Sequence, residues 1–186
     1  MIYRSLWLDV PLVIISLFVP ISHATMILPS SLEYMTGVSD TIITGNVTDK
    51  YSYWEDDKIY TSVFIETDKI VKRSDEGVSS SIEIKLPGGK VGDIALEIDE
   101  APHFRIGEKV MLFLKRRGNV YSTYGFNYGV YRIYYDKDRG KELIDGPLFT
   151  NAEHYNLATM KKVRSAEPLG PNELDSFIER VEQLVK

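Results

Sequence analysis

The sequence predicts a mainly β protein, built as a small barrel or sandwich, with one amphipathic helix near the C-terminus. Short segments between residues 39 and 135 alternate apolar and polar residues, as half-buried strands do. Turn residues separate these segments at regular intervals, a spacing typical of small barrels and sandwiches. The 12 tyrosines among 186 residues favour the same class, because tyrosine suits a half-buried pleated surface.

Composition excludes several kinds of protein. Apolar residues make up 44% of the chain and charged residues 26%, which is typical of a folded globular protein. The formal net charge of −5 argues against nucleic acid as a partner, because nucleic-acid binding needs a basic surface. The chain has no cysteine, so disulfides, thiolate catalysis and cysteine-ligated metals are excluded.

Residues 1–24 are predicted to be a signal peptide. Arg4 precedes an apolar run, and the small residues Ser22 and Ala24 place signal peptidase cleavage before Thr25. A retained membrane anchor is the alternative, although the run from Leu12 to Val19 is too short to span a bilayer. Both interpretations put the protein outside the cytoplasm, either secreted or at the cell surface. The protein is expected to associate with a membrane only if the N-terminal segment is retained.

Residues 25–144 are predicted to form the β domain. Two long strands flank the polar turn "EDD" at 55–57, and Gly45 within the first predicts a bulge or tight bend. Alternation predicts two sets of inward-facing residues, which are Ile82, Ile84 and Leu86, and Ile94, Leu96 and Ile98. It also predicts two sets that share one strand face, which are Ile59, Val63 and Ile65, and Val110, Leu112 and Leu114.

The stretch "LPGGKVGD" at 86–93 is a candidate phosphate-binding loop, but its spacing fails that test. A P-loop ends in Gly-Lys-Ser/Thr ahead of a helix, whereas Lys90 precedes Val91 and a predicted strand. No spacing of the glycines matches a dinucleotide-binding motif. The stretch is therefore predicted to be a turn in which Gly88 and Gly89 reach positive φ.

Residues 145–186 are predicted to be an irregular segment that wraps the domain and ends in a helix. A short helix is expected within 151–163. The final segment "NELDSFIERVEQLVK" has helical spacing of apolar residues, with Asn172 as its N-cap and Asp175 in its first turn. The helix either docks on the barrel or serves as an arm that binds a partner.

Four segments together carry a resemblance to a known family: "SYWEDDKIYTSVFIE", "IKLPGGKVGD", "FRIGEKVMLFLKR" and "NYGVYRI". Over residues 36–135 the chain resembles small, largely uncharacterised secreted domains of bacteria and archaea. These look like OB-type barrels, similar in layout to the netrin-like fold of the tissue inhibitors of metalloproteinases. The resemblance implies an OB-like barrel of five to seven strands followed by the C-terminal helix.

The same resemblance suggests a protease-associated or protease-inhibitory domain as the alternative function. The metalloproteinase inhibitors chelate zinc through an N-terminal cysteine. The mature chain predicted here begins at Thr25 and has no cysteine, so that chemistry does not carry over.

The sequence contains no recognisable catalytic or cofactor motif. His103 and His154 lack the spacing of a zinc site, and no G-x-S-x-G or S-x-x-K motif is present. The acidic runs at 55–57 and 97–100 either hold calcium or are solvated charges. We therefore expect a protein that is not an enzyme and needs no cofactor or metal.

Aromatic residues are the candidate ligand-binding residues. Tyr51, Tyr53 and Trp54 cluster near the first hairpin tip, and Tyr124, Phe126 and Tyr128 recur at every second position. They are either core packing or a platform for stacking sugars or peptides. Asn46, in "NVT", is the candidate glycosylation site.

These observations predict a non-catalytic binding domain that works outside the cytoplasm. Its expected partner is an extracellular protein, including a protease, or a glycan, and nucleic acid is not expected.

N-terminal processing provides the first test. We predict that the exported protein starts at Thr25, because Ser22 and Ala24 have the small side chains that signal peptidase requires. N-terminal sequencing of the exported protein measures this directly. Exported protein that retains Met1 and partitions into membranes would contradict cleavage and support the anchor.

Overall fold

The computed structural model describes residues 32–73, 80–146, 153–156, 161–164 and 172–186. The predicted signal peptide and its cleavage site lie outside the described residues, as does part of the predicted C-terminal wrap. No helix in the described ranges is long and apolar enough to cross a bilayer.

The described chain contains strands, two α-helices and one 3-10 helix. The strands are β1 (Thr41–Glu55), β2 (Lys58–Arg73), β3 (Ser81–Pro87), β4 (Gly89–Val91), β5 (Ile94–Leu96), β6 (Lys109–Arg117), β7 (Val120–Thr123), β8 (Val130–Asp136), β9 (Lys141–Asp145), β10 (Glu153–Asn156), β11 (Lys161–Arg164) and β12 (Asn172–Glu173). The helices are α1 (Leu32–Val38), α2 (Leu174–Val185) and the 3-10 helix Phe126–Gly129.

Five strands form a nearly closed ring in the order β1, β2, β3, β7, β6 and back to β1. The β3–β7 contact is parallel and rests on the single pair Ile84–Tyr121, so the ring is only partly closed there. β8, β9 and β12 extend the sheet beyond β6. The prediction of a mainly β, OB-like barrel with a C-terminal helix is confirmed.

The interior of the ring is the first hydrophobic core. β2, β3 and β6 contribute every second residue to it, as the alternating pattern predicts. The residues predicted to share a face on each of these strands are buried: Ile59, Val63 and Ile65; Ile82, Ile84 and Leu86; and Val110, Leu112 and Leu114.

A second core lies on the outer face of β1, β6 and β8, beneath the two helices. Met111 and Phe113 of β6 point into it, and Tyr131 lies between Phe113 and Phe177 in tilted contacts at centroid distances of 5.5 and 5.1 Å. On α2 the residues Leu174, Phe177, Ile178 and Val181 are buried. The C-terminal helix is therefore docked on the sheet, as the first of the two alternatives predicted, and is not a free partner-binding arm.

Three details of the prediction are wrong. Asn172 is not the helix N-cap, because it pairs with Ile144 in β12 and Glu173 takes the cap position. The short helix expected within 151–163 is replaced by the antiparallel hairpin β10–β11. Ile94 and Leu96 are exposed by 56% and 38%, because β5 pairs only with β4 in a small separate hairpin.

Helix docking gives the second test. Phe177→Ala should lower the free energy of unfolding by about 3–5 kcal/mol, because Phe177 is only 3% exposed within the second core. A helix of this length is marginal alone, so packing must stabilise it. Thermal or urea unfolding measures the change.

Glu179→Ala is the matched control on the exposed side of α2 and should leave the melting temperature nearly unchanged. A Phe177→Ala protein that melts like the wild type would contradict docking.

Candidate functional site

Four aromatic rings cover the outer face of the sheet where β1 and β2 extend past β6. We call this set the aromatic surface: Tyr51 and Tyr53 of β1, and Tyr60 and Phe64 of β2. Tyr51 lies 5.7 Å from Tyr53 and 5.8 Å from Phe64 between ring centroids, and Tyr53 lies 6.4 Å from Tyr60. The rings therefore form a continuous row at stacking and tilted-contact distances.

A β-bulge decides which way these rings face. Val47 pairs with Ile65 and Asp49 with Phe64, so Thr48 is an extra residue without an opposite partner. Before the bulge, odd-numbered residues of β1 such as Val47 point into the barrel. Beyond it, Lys50 lies opposite the inward Val63, and Tyr51 turns outward.

The aromatic surface is accessible but supported from below. Tyr51 is 52% exposed, while Tyr53, Tyr60 and Phe64 are half-buried. Ser62 lies buried on the same face, directly opposite Tyr51, and donates a hydrogen bond of 2.5 Å to Glu83. Packing and cross-strand pairing thus hold the rings in place while leaving ring area open to a ligand.

Lys85 and several carboxylates border the rings. The Lys85 ammonium lies 4.1 Å from the centroid of Tyr60 and also pairs with Glu55. The hydrogen bond from Lys85 to Glu55 raises the pKa of Lys85. The other carboxylates on this outer face are those of Asp49, Glu66 and Glu83. The border favours neutral or cationic ligands over polyanions.

The predicted cluster at the first hairpin tip is divided by the alternation of β1. Tyr51 and Tyr53 belong to the aromatic surface, but Trp54 lies opposite Ile59 and so points to the other face. Trp54 is 49% exposed.

The second predicted platform does not form on a strand. The three residues share a face only on an unbroken strand, but β7 ends at Thr123 and is followed by a turn and the 3-10 helix Phe126–Gly129. Tyr124 packs against the second core, and Tyr128 is buried, which raises its pKa to about 12. Tyr124, Phe126 and Tyr128 therefore do not share one strand face.

Sequence reasoning missed Tyr60, Phe64 and Lys85 as site residues. Tyr60 and Phe64 recur with even spacing in β2, which indicates a shared face. Their proximity to Tyr51 and Tyr53 depends on the register of β1 with β2, which the bulge shifts.

The glycine-rich stretch forms a tight corner at Gly88 and then a short strand, β4, so the predicted positive φ of Gly88 and Gly89 is confirmed but the stretch is not a simple turn. Gly88 and Gly89 have φ of 90° and 132°, a region that favours glycine. A Cβ at Gly89 would collide with the hydroxyls of Ser52 and Thr61, and one at Gly88 would lie 2.7 Å from the carbonyl oxygen of Leu96. The corner folds the β4–β5 hairpin back toward β1 and β2.

This arrangement leaves a cleft of about 540 Å³, which we call the hairpin cleft. Its walls are the inner face of β1–β2 beyond the bulge, the end of β3, and the segment from Leu96 to Phe104. A neighbouring pocket of about 620 Å³ is lined by charged residues, among them Arg132, which donates to Glu108 over 2.7 Å.

The remaining residues that the sequence analysis considered for a functional role lie apart from one another. His103 is exposed beside the hairpin cleft, and His154 lies in β10. The Asn46 side-chain nitrogen donates to both carboxylate oxygens of Asp68 at 3.1 Å, and its glycosylation stays a prediction. Within the described ranges, no group of three or more His, Asp or Glu side chains has a geometry that could hold a metal ion.

Comparison with known proteins returns no match: no family model fits the chain, and no curated protein matches it. The netrin-like resemblance therefore stays a prediction from the sequence.

The glycine corner gives the third test. Gly89→Val should lower the free energy of unfolding by about 1–3 kcal/mol, because the added side chain meets a positive φ and two hydroxyl groups. Chemical unfolding measures the loss. Lys90→Ala, one residue further on at an exposed position, is the control and should be neutral. Nucleotide binding by the wild type that Lys90→Ala abolishes would contradict the turn.

Proposed function

We propose that this protein is a non-catalytic binding domain that works outside the cytoplasm and holds its ligand on the aromatic surface. The observation that carries the proposal is the row formed by Tyr51, Tyr53, Tyr60 and Phe64 on an exposed sheet face. Exposed, positioned aromatic rings favour a binding role, since contiguous apolar patches are seldom left open without one.

The position of the rings within the fold supports this proposal. OB-type barrels bind their ligands on the face of the second and third strands and on adjacent loops. Here β2 contributes Tyr60 and Phe64, and β3 contributes Lys85 and Glu83 on the same face. This support is an analogy of architecture, and the ring geometry supplies the chemical argument.

The border of the rings suggests the class of ligand. Carboxylates at Asp49, Glu66 and Glu83 accept hydrogen bonds from sugar hydroxyls or from basic side chains, and they repel phosphate backbones. A neutral glycan or a basic segment of an extracellular protein suits such a surface. The predicted signal peptide at 1–24 supports the extracytoplasmic location.

Inhibition of a protease is the alternative that the sequence resemblance suggests. It rests on that resemblance alone, because the zinc-chelating N-terminal cysteine of the metalloproteinase inhibitors has no counterpart in this chain. Slowing of an extracellular protease by the mature domain would favour it over our proposal.

Truncation of the exposed rings gives the fourth test. Neutral glycan arrays and basic peptides are screened for binding to the wild type and to the double variant Tyr51→Ala/Tyr53→Ala. The double variant should lose about tenfold or more in affinity for any ligand found, because each truncated anchor costs about 1 kcal/mol or more.

Tyr134→Ala/Tyr135→Ala is the matched control, since these two tyrosines of β8 are 43% and 61% exposed and lie away from the aromatic surface. The control should bind like the wild type. Equal loss in both variants, or turnover of a substrate by the wild type, would contradict the proposal.

A further inference from the structure

We propose that the hairpin cleft is a second binding site, and that it takes an amphipathic carboxylate such as a medium-chain fatty acid. The ammonium group of Lys50 binds the carboxylate, and apolar side chains enclose the chain. The proposal concerns the opposite face of β1–β2 from the aromatic surface and does not depend on it.

The walls of the cleft supply the apolar part of the site. Val63, Leu86 and Phe104 belong to the buried core of the barrel and form the floor of the cleft. Leu96, 38% exposed, and Ile98 form the facing wall. The volume of about 540 Å³ falls within the range of roughly 300–1,000 Å³ that encloses small ligands.

Lys50 supplies the charge. The bulge at Thr48 turns Lys50 to the inner side of β1, opposite Val63. Its ammonium donates one hydrogen bond of 2.6 Å to the carbonyl oxygen of Phe104, and no carboxylate among the described residues lies within ion-pair distance of it. An ammonium group has three N–H donors, so two remain for an anion.

The hydroxyl groups of the cleft are already used. Thr61 donates its single hydroxyl proton to the carbonyl oxygen of Gly88 over 2.7 Å, so Ser52 is the donor in the 2.9 Å bond to Thr61. Ser52 also accepts from the amide of Lys90 over 3.3 Å. These bonds hold the glycine corner against β1–β2, so the ligand's head is bound by the Lys50 ammonium and not by a cleft hydroxyl.

The charges that line the cleft fit a single negative charge. Lys50 and Lys90 contribute two positive charges and Glu97 one negative charge, so the Lys, Arg, Asp and Glu residues of the lining sum to +1. This contrasts with the carboxylates that border the aromatic surface. An apolar chain that ends in a carboxylate matches both the walls and the charge.

Calorimetric titration of the full mature chain with decanoate, below its micelle concentration, tests the site. Decan-1-ol serves as the ligand without charge. Lys50→Met should weaken decanoate binding at least tenfold and leave decan-1-ol binding unchanged, whereas Lys50→Arg should retain most of the decanoate affinity. Leu96→Asn should weaken both ligands.

Lys58→Met is the matched control, because Lys58 is an exposed lysine at the tip of the same hairpin and does not line the cleft. It should bind decanoate like the wild type. Thermal melting shows whether each variant is folded. If Lys50→Met fails to fold, the two single variants Lys50→Arg and Leu96→Asn still test the site.

Two results would overturn the proposal. One is a folded wild type that shows no decanoate binding. The other is a folded Lys50→Met protein that binds decanoate as tightly as the wild type, which would mean that Lys50 does not select the charge.

Discussion

The burial of both faces of β6 is the constraint on which the rest of this fold depends. Val110, Leu112 and Leu114 fill the barrel while Met111 and Phe113 lie beneath the helices, so one strand belongs to both cores. β6 also closes the ring, because it pairs with β1 on one side and with β7 and β8 on the other. A strand that is apolar on both faces needs a packed layer on each side. The barrel interior covers one face of β6, and α1 and α2 cover the other.

The bulge at Thr48 separates the barrel from the part of the molecule that we connect with binding. Val47 still bonds to the chain ahead of β6, through Glu108 and Gly107, and β1 then leaves β6. One additional residue reverses the alternation, so that Tyr51 turns outward while Lys50 turns toward the core side. Both proposed sites, on opposite faces of one hairpin, therefore have the same structural cause.

The two faces differ in chemistry as well as position. The outer face combines rings with carboxylates, and Lys85 beside the rings is engaged by Tyr60 and Glu55. The inner face combines core side chains with Lys50, whose ammonium donates to the carbonyl oxygen of Phe104. The glycine corner maintains this inner face. Gly88 and Gly89 can lie this close to neighbouring strands because neither residue has a Cβ. The stretch that resembles a phosphate loop thus shapes a cleft through its backbone.

The sequence by itself determined the fold class of the protein and most of its hydrophobic core. Alternation along β2, β3 and β6 identified the inward residues, and helical spacing identified the buried side of α2, because these patterns follow from the local periods of strand and helix. It did not determine the site. The sequence groups Trp54 with Tyr51 and Tyr53, and the spacing of Tyr124 and Tyr128 gives them a shared face only on an unbroken strand. Strand register, the bulge and the 3-10 turn decided otherwise, because each depends on which distant backbone groups pair, and those pairings exist only once the barrel closes.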